Sequence, residues 1–515
     1  MAITISLSCI CRHRSTAQAA GMVVMALALT HRASGADWTL QPTLALRESY
    51  SDNIRLTTSQ DAQAAWVSEV SPGVAITGNS RRLKLNLAYQ IQKIVAQSEA
   101  DRVNQQLAAS ATAVLLTDRI FIDIQSSISQ QNNSAFGPQL VDNTYITGNQ
   151  STLKTNSISP YLRYRWNGIA SSTLRYTHGN VRSDALSAQT DALLFDLVGD
   201  NGARRWNWSA NYSQKKNHDS VLSPVTFSNA GLSLNFPLNS TLGLVLTTGY
   251  EKSDYEASTP VQPSGRSRSV GASWKPSPRT SVTLSAGKRY FGNTYAVNAS
   301  HRRHNSVWNI VYSEDITTNY AQFLAQSRSD SSALLNQLWQ TSIADPILRQ
   351  QAIDAYLGIA QSIGPGAGNL NYFSHRYFLQ KQLNMSAALS SARSTLVLSL
   401  SSNRNTAQTN INIDSPLLGT NESLLENETR RIAANASWNW RMSSRNSLNL
   451  SASRDKINSL STGRSDNNLV ANIGISRQFQ PGLQGSVDLR RIQHNSNDGR
   501  SYRENSLRAA LNFRF

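Results

Sequence analysis

Few residues of this chain could make or break bonds. The histidines that would survive removal of an export signal are His178, His218, His301, His304, His375 and His494. His301 and His304 have the i, i+3 spacing that would suit a metal on a helix, but they flank a strand start and read as solvated loop residues. No G-x-S-x-G, H-E-x-x-H, C-x-x-C or phosphate-binding loop occurs. Both cysteines, Cys9 and Cys11, lie near the start. The expectation is no catalytic residue, no metal and no cofactor. What remains is a dispersed set of basic and polar side chains: Lys84, Gln90, Arg163, Arg165, Arg431, Asn435, Arg441, Arg490, Arg508 and Arg514. Together they could attract an anion weakly and at many points, as a pore lining does.

The spacing of these residues says what must hold them. Each lies next to apolar residues in a two-residue repeat. The chain ends LRAALNFRF, with Leu507, Ala509, Leu511, Phe513 and Phe515 on one face and Arg508, Asn512 and Arg514 on the other. The same alternation runs through Leu83, Leu85, Leu87, Tyr89 and Ile91; through Trp206, Trp208, Ala210 and Tyr212; and through Ile432, Ala434, Ala436, Trp438 and Trp440. Many segments of roughly ten residues with this period are the signature of a transmembrane barrel.

The bulk properties agree. Only 16% of the 515 residues are charged, against about a quarter in a soluble protein. Residues 1–36 read as a cleaved signal peptide: Arg12 and Arg14 precede the apolar run 19–29, and Ala33-Ser34-Gly35-Ala36 offers small residues for cleavage. Cleavage would leave no cysteine, hence no disulfide framework. The formal net charge is +17, but the basic residues are scattered singly, which argues against nucleic acid and for anionic sugars or lipid headgroups.

Tight turns such as Trp166-Asn167-Gly168 and Gln480-Pro481-Gly482-Leu483 alternate with longer polar loops such as 129–149 and 403–428. Trp166, Trp206, Trp208, Trp274, Tyr312, Trp438 and Trp440 read as an aromatic girdle beside the tight turns. The expected fold is therefore all-β: an up-and-down transmembrane barrel of about 22 antiparallel strands over 37–515, in the outer membrane, with both termini periplasmic. Strands are expected, among others, at 280–291, 302–313 and 317–327. Residues 331–363 break the period. Their apolar residues recur at three and four, and Asp345-Pro346 suits a helix start, which predicts a helical insertion in an outer loop, serving as a cap or a luminal lid.

The segment WTLQPTLALRESYSDNIRL (38–56), with Glu48, Tyr50, Asp52, Asn53 and Ile54, followed by Ser71-Pro72-Gly73, resembles the opening of the PEP-CTERM system-associated outer-membrane proteins. These accompany exosortase and exopolysaccharide gene clusters in Gram-negative bacteria. The resemblance implies a role in envelope or polysaccharide export and carries over no catalytic residue. Leu511, Phe513 and Phe515 resemble the C-terminal signal read by the outer-membrane barrel assembly machinery. Strand-like sequence begins at Trp38, which speaks against a separate N-terminal plug of the energy-coupled, TonB-dependent kind. The functional expectation is a passive conduit or export-associated channel. Its expected partners are outer-membrane lipid and lipopolysaccharide, the assembly machinery, and an anionic polysaccharide or export-complex proteins. The alternatives are a structural barrel with an occluded lumen and a barrel-borne hydrolase of lipid or surface polymer.

Overall fold

Alternating side chains can satisfy lipid on one face and water on the other only if every backbone group finds a partner along the sheet. The chain meets this condition by closing on itself. A computed structural model describes residues 37–515 apart from 98, 140, 185–186, 200–205, 221–222, 256–262, 319–320, 323–373 and 410–423. The strands are β1 (Asp37–Ser51), β2 (Ala65–Asn79), β3 (Leu83–Ala96), β4 (Arg102–Leu116), β5 (Ile120–Asn132), β6 (Gln150–Trp166), β7 (Ala170–Arg182), β8 (Ser187–Gly199), β9 (Asn207–Asp219), β10 (Val225–Pro237) and β11 (Leu242–Ser253). They continue as β12 (Ser264–Ser277), β13 (Thr280–Arg289), β14 (Gly292–Arg302), β15 (Ser306–Thr318), β16 (Tyr377–Ser390), β17 (Ser394–Ala407), β18 (Glu428–Arg441), β19 (Asn446–Ser459), β20 (Ser465–Gln480), β21 (Leu483–Ser496) and β22 (Tyr502–Arg514). They form one 22-stranded sheet in which neighbours in sequence pair antiparallel. β22 returns to β1, from Arg514 opposite Thr43 to Ser506 opposite Ser51, and Phe515 donates its amide to the Pro42 carbonyl at 3.0 Å. No helix among the described residues is long and apolar enough to cross a membrane; the spans are strands.

The count of 22 agrees with the sequence expectation through two errors that cancel. The strand expected at 280–291 ends instead at Arg289, and the chain turns at Tyr290-Phe291 into β14, where no strand was expected. The strand expected at 302–313 crosses a real turn, since β14 ends at Arg302 and β15 begins at Ser306. Of the strand expected at 317–327, Thr317 and Thr318 are the last two residues of β15, Ala321 and Gln322 are helical, and the others lie outside the described residues. The expected helical insertion, 331–363, and the signal peptide, 1–36, lie outside the described residues.

The outward face is apolar and uncovered. Leu40, Val70, Leu174, Val270, Ile475, Val487 and Leu507 are exposed there. An apolar surface this continuous on a closed barrel is a lipid-facing band. On β1 the outward set runs from Trp38 to Tyr50, apolar except for Glu48 near its upper end. That is 12 rises of about 3.3 Å each; a tilt of roughly 40° gives a height of about 30 Å, which suits a bilayer core with its interfacial edge.

The inward face is polar, with glycines where a neighbouring strand's backbone approaches closely. A Cβ on Gly249, Gly271 or Gly287 would lie 2.2–2.5 Å from a carbonyl oxygen of the neighbouring strand. Only glycine allows that approach. The apolar clusters of the interior among the described residues lie at the long-loop end, while the stacked Phe121 and Tyr161 rings are a smaller contact nearer the short turns. One of these clusters joins Ile54, Ile94, Val141, Tyr145, Ile492 and Tyr502; a second joins Ala135, Phe136, Phe378 and Ile457.

Candidate functional site: a basic lumen crossed by a loop

All ten side chains singled out as candidate lining lie on the inward face. Register shows this strand by strand: Arg508 is buried in the barrel, Arg490 is opposite Ser506, and Asn472 is opposite Arg490. Asn435 is opposite Ser399 and Ser453, and Arg163 is opposite Thr173. They do not act alike, however. Arg431 is held by Asp455 at 2.6 Å, and Arg490 and Arg508 both meet Asp142, at 2.8 and 3.2 Å. These three are not free lining. The upper and middle wall neutralises itself elsewhere too, through Arg47–Glu69, Arg175–Asp123 and Arg289–Glu251, each at 2.8 Å.

The exposed cations gather at the short-turn end. Lys84, Arg163, Arg165, Arg441 and Arg514 are exposed within a few residues of their strand ends there. Arg163 lies over the rings of Phe121 and Tyr161, which keeps the guanidinium extended along the wall. The turns add Arg81, Arg82, Arg119, Arg279, Arg303, Arg393 and Arg445, all exposed. Sequence reading passed over these because a single arginine in a turn has no periodic context; closure of the barrel brings them onto one rim. That rim is the basic mouth of the lumen.

The other mouth is crossed by a loop. The segment between β5 and β6 leaves the wall and crosses to the far side, where Phe136 packs on Phe378 of β16 and Ile457 of β19. The Gly137 amide donates to Asp466 at 3.0 Å, and the Arg464 guanidinium lies over the Phe136 ring. The segment then reaches the β21–β22 wall. Asp142 takes Arg490 and Arg508, and the Tyr145 hydroxyl accepts from Arg490 at 2.6 Å. Arg102 donates to the Thr144 and Tyr145 carbonyls, and Asn143 donates to Gln92. Burial alone would raise the Asp142 pKa, but the two guanidiniums outweigh it and hold the carboxyl well below the usual range. Burial pushes the Tyr145 phenol up, so it stays protonated. Between Tyr145 and the wall, Ser49, Ser51, Arg490, Ser506 and Arg508 line a void of about 10 Å³, room for roughly one water. The seal is polar and imperfect: both side-chain amide atoms of Asn472 are buried without a hydrogen bond, as are Arg490 Nε and Glu504 Oε2. Unpaired buried groups are costly, so the closed arrangement gives up part of what its ion pairs supply.

Trp166, Trp206, Trp274 and Trp440 are exposed on the outward face at the short-turn end, with Trp208 and Trp438 half-buried beside them. Tyr312 departs from this set: β15 begins at Ser306, which places Tyr312 mid-strand, where its hydroxyl donates to Glu314. A second girdle, not anticipated from sequence, lies at the long-loop end, with Tyr50 and Trp66 5.3 Å apart and Tyr250 and Tyr295 exposed further round. Leu511 and Phe515 are exposed on the outward face, and the Phe513 and Phe515 rings stack. Of the histidines, His178 meets Asp191 at 2.8 Å on the outward face; Tyr176, not a serine, completes that group.

No family model and no curated protein matches the chain. Among solved structures it is similar to the siderophore receptor PirA from Pseudomonas aeruginosa, with 10% identity over 92% of this chain and 80% of that one and a TM-score of 0.43. It is also similar to PirA from Acinetobacter baumannii (8%, 92% and 80%, TM-score 0.45) and to the FrpB iron transporter from Neisseria meningitidis (9%, 92% and 82%, TM-score 0.45).

Proposed function

We propose that this barrel is an outer-membrane conduit for a hydrated, anionic polymer, serving exopolysaccharide or envelope export. The short-turn end, which carries both termini, faces the periplasm, as in barrels with short periplasmic turns. The observation that carries the reading is the asymmetry of the lumen: exposed cations at the short-turn mouth, self-paired charges above them, and a loop across the exit. A ring of arginines on a low-dielectric wall concentrates polyanions at the entrance without binding them tightly. Ser, Asn and Gln beyond it, such as Gln90, Ser399 and Asn435, exchange hydrogen bonds with hydroxyl-rich solutes. Export-complex proteins would dock at the periplasmic rim, and the terminal Phe515 strand would be presented to the assembly machinery.

The test is single-channel conductance in a planar bilayer. Wild-type protein is expected to open in brief, anion-selective events; Arg163→Gln with Arg165→Gln should lower the anion preference at unchanged barrel assembly. Cation selectivity in the wild type would refute the proposal. The covering loop also favours a second reading, an occluded structural barrel. Silence from folded protein, persisting when residues 134–147 are deleted, would establish that reading instead.

A further inference from the structure

The outward face carries a feature that conduction does not use. Just above the apolar band, cations face one another across adjacent strands. Lys154 is opposite Arg182, Arg268 opposite Lys288, and Arg404 opposite Arg430. All six share a face with lipid-exposed residues: Lys154 with Ile158 and Leu162, Arg268 with Val270 and Trp274, Arg430 with Ile432 and Trp440. Like charges directly opposite one another destabilise a sheet. Arg404 is relieved by Glu428 at 2.5 Å.

Among the described residues the β11–β13 patch has no such relief. Lys252, Arg266, Arg268 and Lys288 are all exposed there, and the described outward residues of these three strands include no carboxylate. Asp254, just beyond β11, is turned to the Thr226 amide. Opposed Cβ atoms lie about 5 Å apart and next-but-one residues about 7 Å, so one phosphate could touch two of these cations and a second phosphate the others. The patch sits at interface height. Tyr250 of the upper girdle is opposite Arg266, and Val270, 58% exposed, is two residues below Arg268.

We infer that the outward face of β11–β13 is a binding site for a lipid with a multiply phosphorylated headgroup, seated with its acyl chains on Val270 and Leu284 and its phosphates between Arg268, Lys288 and Arg266. The site rests on the proposed orientation, because it takes its lipid from the leaflet at the long-loop end. Neither the lumen nor its solute enters into it.

The experiment uses the full barrel in neutral detergent and native mass spectrometry, with bisphosphorylated lipid A, its fully dephosphorylated form and phosphatidylethanolamine as probes. Wild type should retain bisphosphorylated lipid A at least tenfold better than either other lipid, and Arg268→Gln/Lys288→Gln should lose that preference while remaining heat-modifiable. Equal retention of the three lipids by wild type, or full retention by the folded variant, would overturn the inference. If the double variant does not fold, Lys288→Gln alone and a salt titration of the wild type decide: retention indifferent to both overturns it. An epitope placed between β17 and β18 reads orientation separately. If antibody reaches it only after the outer membrane is opened, the orientation fails even where lipid binding in detergent stands.

Discussion

Replacing Asp142 by Asn should open the conduit. The substitution keeps the shape and the side-chain oxygen that accepts the Thr144 amide at 2.8 Å, and removes only the charge. Asp142 meets Arg490 at 2.8 Å and Arg508 at 3.2 Å. At an effective dielectric constant of about 20, each contact is worth roughly 5 kcal/mol before desolvation. Burying three charges cancels much of that, but deleting one partner of a buried pair leaves the other charge uncompensated, at about 3–5 kcal/mol. Arg508 retains Asp488 at 3.7 Å, which favours the lower end, about 3 kcal/mol. That shifts the closed-to-open ratio roughly 100-fold. The assay is the open probability of single channels, with heat modifiability on gels as the control for an intact barrel. An open probability unchanged within about twofold in folded D142N would refute the reasoning: the loop would then be held by its apolar contacts, Phe136 on Phe378 and Val141 in the Ile54 cluster.

The same pair sets the pH response. The folded-state pKa of Asp142 lies below its ordinary 3.8, so its contribution is fully present above that value and is lost as pH falls through the folded value. Conductance should therefore not change through this loop between about pH 8 and about pH 5, and opening near pH 6 would point to another group. Phe515→Ala should reduce the amount of assembled barrel several-fold, read as heat-modifiable protein in outer-membrane fractions; normal levels would remove the terminal aromatic from the assembly signal. Gly287→Val should destabilise the barrel by about 1–3 kcal/mol, because a Cβ there meets the Arg268 carbonyl at 2.2 Å. The urea midpoint of tryptophan fluorescence reads this, and an unmoved midpoint would mean that the β12–β13 approach at Gly287 is not tight.

The wall of this protein is written locally and its closure is not. A period of two needs only neighbouring residues to be seen, so the face on which Arg163, Asn435 or Arg508 lies could be read directly from the sequence. Boundaries fail where turn chemistry is atypical. At Tyr290-Phe291 two aromatics continue the apolar alternation through a reversal made possible by Gly292, whose φ is +124°. The Arg302–Asn305 stretch of β14 and its turn reads as a strand start because it is basic and lacks Gly or Pro. The latch could not be read at all. Arg490 and Asp142 are 348 positions apart, and nothing in either local sequence distinguishes a paired luminal arginine from a free one. The basic rim is similar: its arginines occupy unrelated turns and become a ring only when the sheet closes.

Closure also governs how the molecule can be made. Ser51 bonds to Glu504 and Asp52 to Asn505, each across 453 positions. The first strand is among the earliest parts of the sequence to be synthesised, and its partner among the last. Until the C-terminal hairpin arrives, any membrane-inserted intermediate has two bare edges, and no solvent in the bilayer can hydrogen-bond to them. The hairpins can pair as they appear, but none of their energy can be kept in lipid until the seam forms. The barrel is therefore all-or-none with respect to its own last thirteen-residue strand. A cell that makes it must supply a temporary β-edge for the whole time between the first strand and the last.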